Sequence, residues 1–110
     1  MLKINGTNIE ISRGDEVDLF FSFSSDPPVD GTVVRFTVKT RDGAAVIEKS
    51  AAYEDEQIHI HLSSSETDLP DMMYSYGLYV QFGDGSGYSP LARCGFIVNP
   101  SEAYQGTVMA

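Results

Sequence analysis

The sequence predicts an all-β protein, an antiparallel β-sandwich of about seven strands. Apolar and polar residues alternate along most of the chain, which is the pattern of strands that are buried on one face. Short segments rich in glycine, proline and aspartate separate the alternating runs. No long stretch has the apolar spacing of an amphipathic helix. A small closed barrel is the alternative arrangement for strands of this kind.

Each alternating run predicts one strand. In the second run the odd-numbered positions from 17 to 23 are all apolar and are expected to face the core. Phe20 interrupts the outward row of that strand, and we expect a neighbour to cover it. The seven runs cover residues 9–11, 17–24, 34–39, 45–49, 58–62, 74–82 and 92–98.

Turn chemistry predicts where these strands end. The Pro- and Gly-rich segment 26–31 is a loop, and Asp-Gly pairs place hairpin tips at 41–43 and 83–87. Segment 63–70 predicts a single helical turn, capped by serine and ended by Pro70. Short strands at this regular spacing are typical of an immunoglobulin-like sandwich.

Length and composition indicate one domain. The chain has 110 residues and a mass of 12.0 kDa, which is within the usual size of a single domain. We expect the sandwich to occupy residues 1–98 and a C-terminal tail or linker to occupy residues 99–110. A single cysteine, Cys94, excludes an internal disulfide, and the N-terminus lacks the apolar stretch of a signal peptide. These features predict synthesis in a reducing cytoplasm.

The formal net charge of −9 excludes several classes of partner. Phosphate backbones and anionic lipids repel such a chain, so we expect it to bind neither nucleic acid nor a membrane. The charge is uneven, with six basic and eight acidic residues in 1–50 but one basic and eight acidic residues in 51–110. We therefore expect self-assembly to use the near-neutral first half, or a basic partner. If acidic faces meet, association should strengthen with salt.

No residue pattern predicts catalysis, a metal or a cofactor. His59 and His61 share one strand face, but a zinc site needs three or four protein ligands, so we interpret them as exposed strand residues. The acidic Asp84 hairpin lacks the ligand spacing of a calcium loop. Cys94 is predicted to face the core and has no identifiable base. We expect a protein that is not an enzyme.

Tyrosines provide the candidate structural and interaction residues. Tyr74 starts a late strand and follows a Leu-Pro turn, which predicts a tyrosine corner in which its hydroxyl bonds upstream backbone. We predict Tyr79 and Tyr88, with Asp84 at the neighbouring hairpin tip, as an interaction surface. Tyr53 and Tyr104 are also expected to be partly exposed.

Several positions together resemble a known family. A Gly-Asp opening (Gly14–Asp15), a Leu-Pro turn (Leu69–Pro70), Tyr74 with Tyr76, and a closing Gly-Phe strand (Gly95–Phe96) occur in the family's order. Over about residues 9–98, the chain resembles the small immunoglobulin-like domain of tailed-phage and prophage virion proteins. The resemblance is greatest to the N-terminal domain of baseplate upper proteins.

This resemblance implies a non-enzymatic structural or interaction module of a phage or prophage particle. The expected role is tail or baseplate assembly through protein–protein contacts, with other virion or tail proteins, or the chain itself, as partners. The expected location is the virion, after synthesis in the bacterial cytoplasm. Many members carry an acidic residue where this chain has Gly77, and many continue into a long fibre. The alternative is a carbohydrate-binding or adhesion module that uses Tyr79 and Tyr88.

Overall fold

The strands form two sheets that enclose one core. The computed structural model describes residues 2–5, 7–23 and 28–101. These contain eight strands, β1 (Lys3–Asn5), β2 (Asn8–Ser12), β3 (Val17–Ser22), β4 (Val33–Lys39), β5 (Ala45–Ala52), β6 (Gln57–Leu62), β7 (Met72–Gln81) and β8 (Gly87–Asn99). The predicted all-β, sandwich-like fold is confirmed.

The two sheets differ in size. The large sheet has the strand order β1-β2-β8-β7-β4-β5, and the small sheet pairs β3 with β6. All pairs are antiparallel except β2 and β8, which run parallel from Ile9 beside Phe96 to Ser12 beside Asn99. The predicted antiparallel pairing thus holds for every described pair of strands except this one. Parallel neighbours need a long connection, and here it includes every strand between β2 and β8.

One additional strand and one extended strand differ from the prediction because pairing determined them. The additional strand β1 pairs with β2 in a short hairpin. Strand β8 begins at Gly87 rather than near residue 92, because it stays paired with β7 through two register shifts. Such β-bulges let a strand continue where its side-chain alternation is interrupted.

Alternation correctly predicted the inward face. Phe36 and Phe96 are fully buried, and the ring of Phe36 lies 5.5 Å from Tyr76 and 6.0 Å from Phe21, centroid to centroid. Aromatic contacts of this kind add to the stabilisation that burial alone gives. The large sheet and the small sheet are therefore joined by one aromatic cluster.

Two aromatic residues differ from expectation. Tyr53, expected to be partly exposed, is only 4% exposed, and Phe23 packs edge-on against it at 5.5 Å between ring centroids. Phe20, expected to be covered, is 58% exposed and stacks on His59 at 4.5 Å. Periodicity predicts which side of the sheet a strand residue faces, but it does not predict which residues pack beside it. Tyr104 lies outside the described residues.

The predicted helical turn at 63–70 is present as one isolated turn. The Ser63 hydroxyl accepts a bond from the Glu66 amide, and the Glu66 carboxylate accepts one from the Ser63 amide, which together form a capping box. Thr67 is fully buried and donates to the Asp15 carbonyl at 2.6 Å, which ties this turn to the β2–β3 turn. The described part of the chain has no helix long and apolar enough to cross a membrane.

Candidate functional site

The outer face of the large sheet carries a depression that we call the basic groove. Its rim is formed by four exposed cations, Arg35, Lys39, Arg41 and Arg93, and its volume is about 830 Å³. Because the even-numbered positions of β4 are buried in the core, the alternate residues of that strand point out of the sheet into this groove. The rim thus follows from strand alternation together with the hairpin after β4.

Small residues form the floor of the basic groove. Ser75 and Gly77 lie on β7 opposite Lys39 and Thr37 of β4. A Cβ at position 77 would lie 2.9 Å from the Leu91 carbonyl oxygen, closer than real Cβ contacts. Glycine is therefore required for the close approach of β7 and β8, and its missing side chain deepens the groove.

A β-bulge places Arg93 on the groove rim. Tyr76 pairs with Cys94 and Leu78 with Leu91, so that two residues of β8 lie opposite Gly77 alone. Arg93 adopts a left-handed backbone conformation with φ of 57°. That conformation is costly for a residue with a side chain, and such strain is concentrated at functional sites.

The basic groove concentrates positive charge on a strongly acidic protein. It holds four of the chain's seven lysines and arginines, whereas Glu48 is its single acidic residue out of sixteen in the chain. Within the described ranges none of the four rim cations forms an ion pair. The Arg35 guanidinium instead lies 5.4 Å from the centre of the Tyr79 ring, a cation–π contact. No described carboxylate therefore neutralises a rim cation through an ion pair.

A second depression, the inter-sheet slot, opens between the two sheets. It has a volume of about 490 Å³, and its lining includes Ile4, Leu19, Phe21, Leu78 and Tyr88. Ile4 is 61% exposed. Among the described strands β3 pairs with β6 alone, so the edge of β3 beside this slot has no strand partner. An unpaired edge next to apolar side chains is suited to accept an added strand.

The outer face of the small sheet carries both histidines. One oxygen of the Asp18 carboxylate accepts bonds from His59 Nε2 at 2.7 Å and from His61 Nδ1 at 2.8 Å. The bonds from His61 and then His59 hold the pKa of Asp18 below its usual value. The Glu16 carboxylate lies 3.9 Å from His61. This face is thus internally bonded.

Tyr74 has the geometry of a tyrosine corner. Its ring is buried, and its hydroxyl donates to the Pro70 carbonyl at 2.7 Å, four residues upstream. The contact fixes the connection that leads from β6 in the small sheet to β7 in the large sheet. Burial raises the pKa of Tyr74, which keeps the donating proton in place.

The structure places Tyr79, Tyr88 and Asp84 at three different locations. Tyr79 lines the basic groove, whereas Tyr88 lines the inter-sheet slot and stacks on Phe82 at 5.9 Å. The Asp84 carboxylate accepts bonds from the Ser86 amide and hydroxyl, which is ordinary turn chemistry. Tyr79 and Tyr88 therefore line different depressions, and their joint role as an interaction surface with Asp84 stays a prediction.

The described side chains do not assemble a nucleophile or a metal centre. Cys94 is 8% exposed, and its Sγ lies 3.9 Å from the Ala92 carbonyl oxygen. Burial raises the pKa of Tyr76 to about 12. Over residues 2–5, 7–23 and 28–101, no group of three or more His, Cys, Asp or Glu is positioned to hold a metal ion.

Sequence reasoning missed the basic groove. The signal was present in part, since Arg35 and Lys39 share one strand face by their spacing. Arg93 was not predictable, because its position depends on a bulge. Comparisons of the chain with protein-family models, curated proteins and solved structures gave no match.

Proposed function

We propose that this protein is a non-enzymatic interaction module of a phage or prophage particle. In this proposal it contributes to tail or baseplate assembly through protein–protein contacts. The sequence resemblance to the small virion domain supports this class, and the sandwich-like fold is compatible with it. The unpaired edge of β3 beside the inter-sheet slot is the observation that carries the proposal.

The slot offers a mechanism for such contacts. An extended segment of a partner can bond the free backbone groups of β3 while its apolar side chains enter the slot. Ile4 and Phe20 both line the slot and are largely exposed, so binding would remove apolar surface from water. The expected occupant is therefore an apolar strand from another particle protein.

The test is to locate the chain in particles. Particles released by the strain that encodes the chain are purified and labelled with gold-conjugated antibodies against the protein. Label on tails or baseplates is expected. Unlabelled particles, in a strain that demonstrably expresses the chain, would contradict the proposal.

The slot is tested separately by complementation. In a strain lacking the gene, Ile4→Glu combined with Phe20→Glu should abolish incorporation into particles, because two charges would enter an apolar site. Val29→Glu is the matched control, since Val29 is exposed but does not line the slot. Equal incorporation of both variants would rule out the slot as the contact.

A stacked aromatic pair favours carbohydrate binding as the second candidate function. Phe82 and Tyr88 flank the 83–87 hairpin, are both partly exposed, and stack with an interplanar angle of 29°. Exposed aromatic rings can pack against the apolar faces of sugars. Loss of glycan-array signal in Tyr88→Ala, and not in Tyr79→Ala, would support this function over protein assembly.

A further inference from the structure

We propose that the basic groove binds the acidic turn between β5 and β6 of a second copy of this chain. We call that turn the acidic turn; it consists of Glu54, Asp55 and Glu56. The basic groove is a different surface from the inter-sheet slot. A contact at the groove can therefore be tested independently of the function proposed above.

The acidic turn is an unusual hairpin. Reciprocal backbone bonds of 2.9 and 3.1 Å join Glu54 to Gln57 and leave Asp55 and Glu56 at the two central positions. Both have positive φ, 54° and 65°, a conformation for which Asn-Gly is preferred. Three adjacent carboxylates also repel one another. Turn geometry alone therefore does not explain this choice of residues.

Neither surface has an ion-pair partner among the residues that the structure describes. All three side chains of the acidic turn are exposed, and in the described structure none forms an ion pair. Burial, with the nearby Glu56 and Asp30 carboxylates, raises the pKa of Tyr53, the residue just before the turn. The rim cations of the basic groove are equally unpaired. The basic groove thus carries positive charge and the acidic turn carries negative charge, so the two surfaces are complementary.

The two surfaces face different sides of one molecule. The acidic turn lies where the chain leaves β5 in the large sheet for β6 in the small sheet. The basic groove opens on the outer face of the large sheet, away from the small sheet. No ion pair joins a side chain of the acidic turn to a rim cation in the described structure, so we infer that the two surfaces meet between copies.

The shape of the groove also suits a hairpin tip. The floor at Ser75 and Gly77 offers room for inserted side chains, and the arginines of the rim can form paired bonds to carboxylates. Docking of a turn into a different surface is a head-to-tail contact. Such contacts produce a ring if the rotation closes and a filament if it does not.

The first test is the salt dependence of self-association, measured by sedimentation velocity. At protein concentrations up to about 1 mM, which detects even millimolar dissociation constants, we expect assembly in low salt. Raising NaCl from about 50 to about 500 mM should weaken it at least roughly tenfold, because the Debye length shortens. A monomer throughout, or assembly that strengthens with salt, would overturn the proposal.

Charge reversal identifies the surfaces. The groove variant is Arg35→Glu with Lys39→Glu, and the turn variant is Glu54→Lys with Glu56→Lys. Each alone should associate roughly a hundredfold more weakly, because like charges then face each other. Mixing the two variants should restore assembly, since each acidic groove then meets a basic turn. Failure of the mixture to assemble would contradict the pairing.

Controls separate this contact from misfolding and from the slot. Glu16→Lys with Asp71→Lys makes the same change in net charge as the turn variant, at exposed positions outside both surfaces, and should retain association. If the groove variant fails to fold by circular dichroism, Arg35→Gln with Lys39→Gln replaces it, with a smaller expected loss of association, because neutral side chains remove the attraction without adding repulsion. The slot variant Ile4→Glu with Phe20→Glu should self-associate normally. A wild-type chain that binds poly-glutamate but not itself would assign the groove to another acidic partner.

Discussion

The polar side chains on the outer faces of the two sheets differ in whether they are bonded to one another. On the small sheet, Asp18 accepts bonds from both His59 and His61, so the titratable side chains bond one another. On the large sheet, the four rim cations of the basic groove form no ion pair with any described residue. Internally bonded groups serve the fold, whereas unneutralised ones remain available to a partner. The contrast is the reason that we propose the large sheet, and not the small sheet, for the charge-based contact between copies.

The largest expected effect comes from filling the groove floor. Gly77→Ala should destabilise the protein by about 1–3 kcal/mol, because the added Cβ would press on the Leu91 carbonyl and force the strands apart. It should also weaken self-association while the small-sheet face is unchanged. Thermal and urea unfolding measure the first effect, and sedimentation measures the second.

Gly83→Ala is the control for that variant. A Cβ at position 83 would have no neighbour within 4 Å, so stability should change by no more than about 0.5 kcal/mol. Equal destabilisation by the two variants would show that the close approach at Gly77 is not the cause.

Tyr74→Phe should leave both faces intact while it weakens the connection between the sheets. Loss of the bond to the Pro70 carbonyl should cost about 1 kcal/mol in the free energy of unfolding, since a hydrogen bond made by the buried Tyr74 side chain is removed. Chemical denaturation measures the change. Tyr79→Phe, on the groove, is the control and should be near neutral for stability; a neutral Tyr74→Phe would remove the structural role of the corner.

Arg93→Gly should change stability and self-association in opposite directions. Glycine adopts the left-handed conformation of the bulge without strain, but it loses more conformational entropy on folding. We expect the net result to be an increase of about 0.5–1 kcal/mol in the free energy of unfolding. The loss of a rim cation should at the same time weaken self-association. A variant that is both less stable and unchanged in association would contradict the role given to Arg93.

The smallest effect is expected on the small-sheet face. Because the pKa of Asp18 is lowered in the folded protein, its carboxylate contributes stability above the ordinary pKa of 3.8. This contribution is lost as the pH falls below 3.8 through the lowered folded pKa. The difference in Tm between wild type and Asp18→Asn should therefore be present near neutral pH and disappear in acid. Asp30→Asn, which is exposed and bonds no histidine, should show no such loss.

Much of the fold was predictable because strand alternation is local. The inward positions of β4, β6 and β7 followed from period-two patterning, and the capping residues of the 63–67 turn followed from serine and glutamate spacing. The parallel pairing of β2 with β8 and the extra strand β1 were not predictable. They depend on which distant strands become neighbours, and alternation contains no such information.

The candidate site was less predictable than the fold. Tyr74 was singled out from its position after Leu69–Pro70, since the corner involves residues close in sequence. Tyr79 and Tyr88 are also close in sequence, yet the sheet directs one into the basic groove and the other into the inter-sheet slot. The net charges of the two halves of the chain do not reveal that residues from both halves, Arg35 and Arg93, contribute to one rim.

An all-β chain, the facing of most strand residues, the turns and a large negative charge can all be predicted from the amino-acid sequence. These properties depend on the spacing of neighbouring residues and on composition. The location of the few positive charges, in contrast, depends on tertiary contacts. Strand order brings β4, β7 and β8 side by side, and the bulge opposite Gly77 turns Arg93 outward. Pairing between strands distant in sequence therefore produces a basic face on an acidic protein.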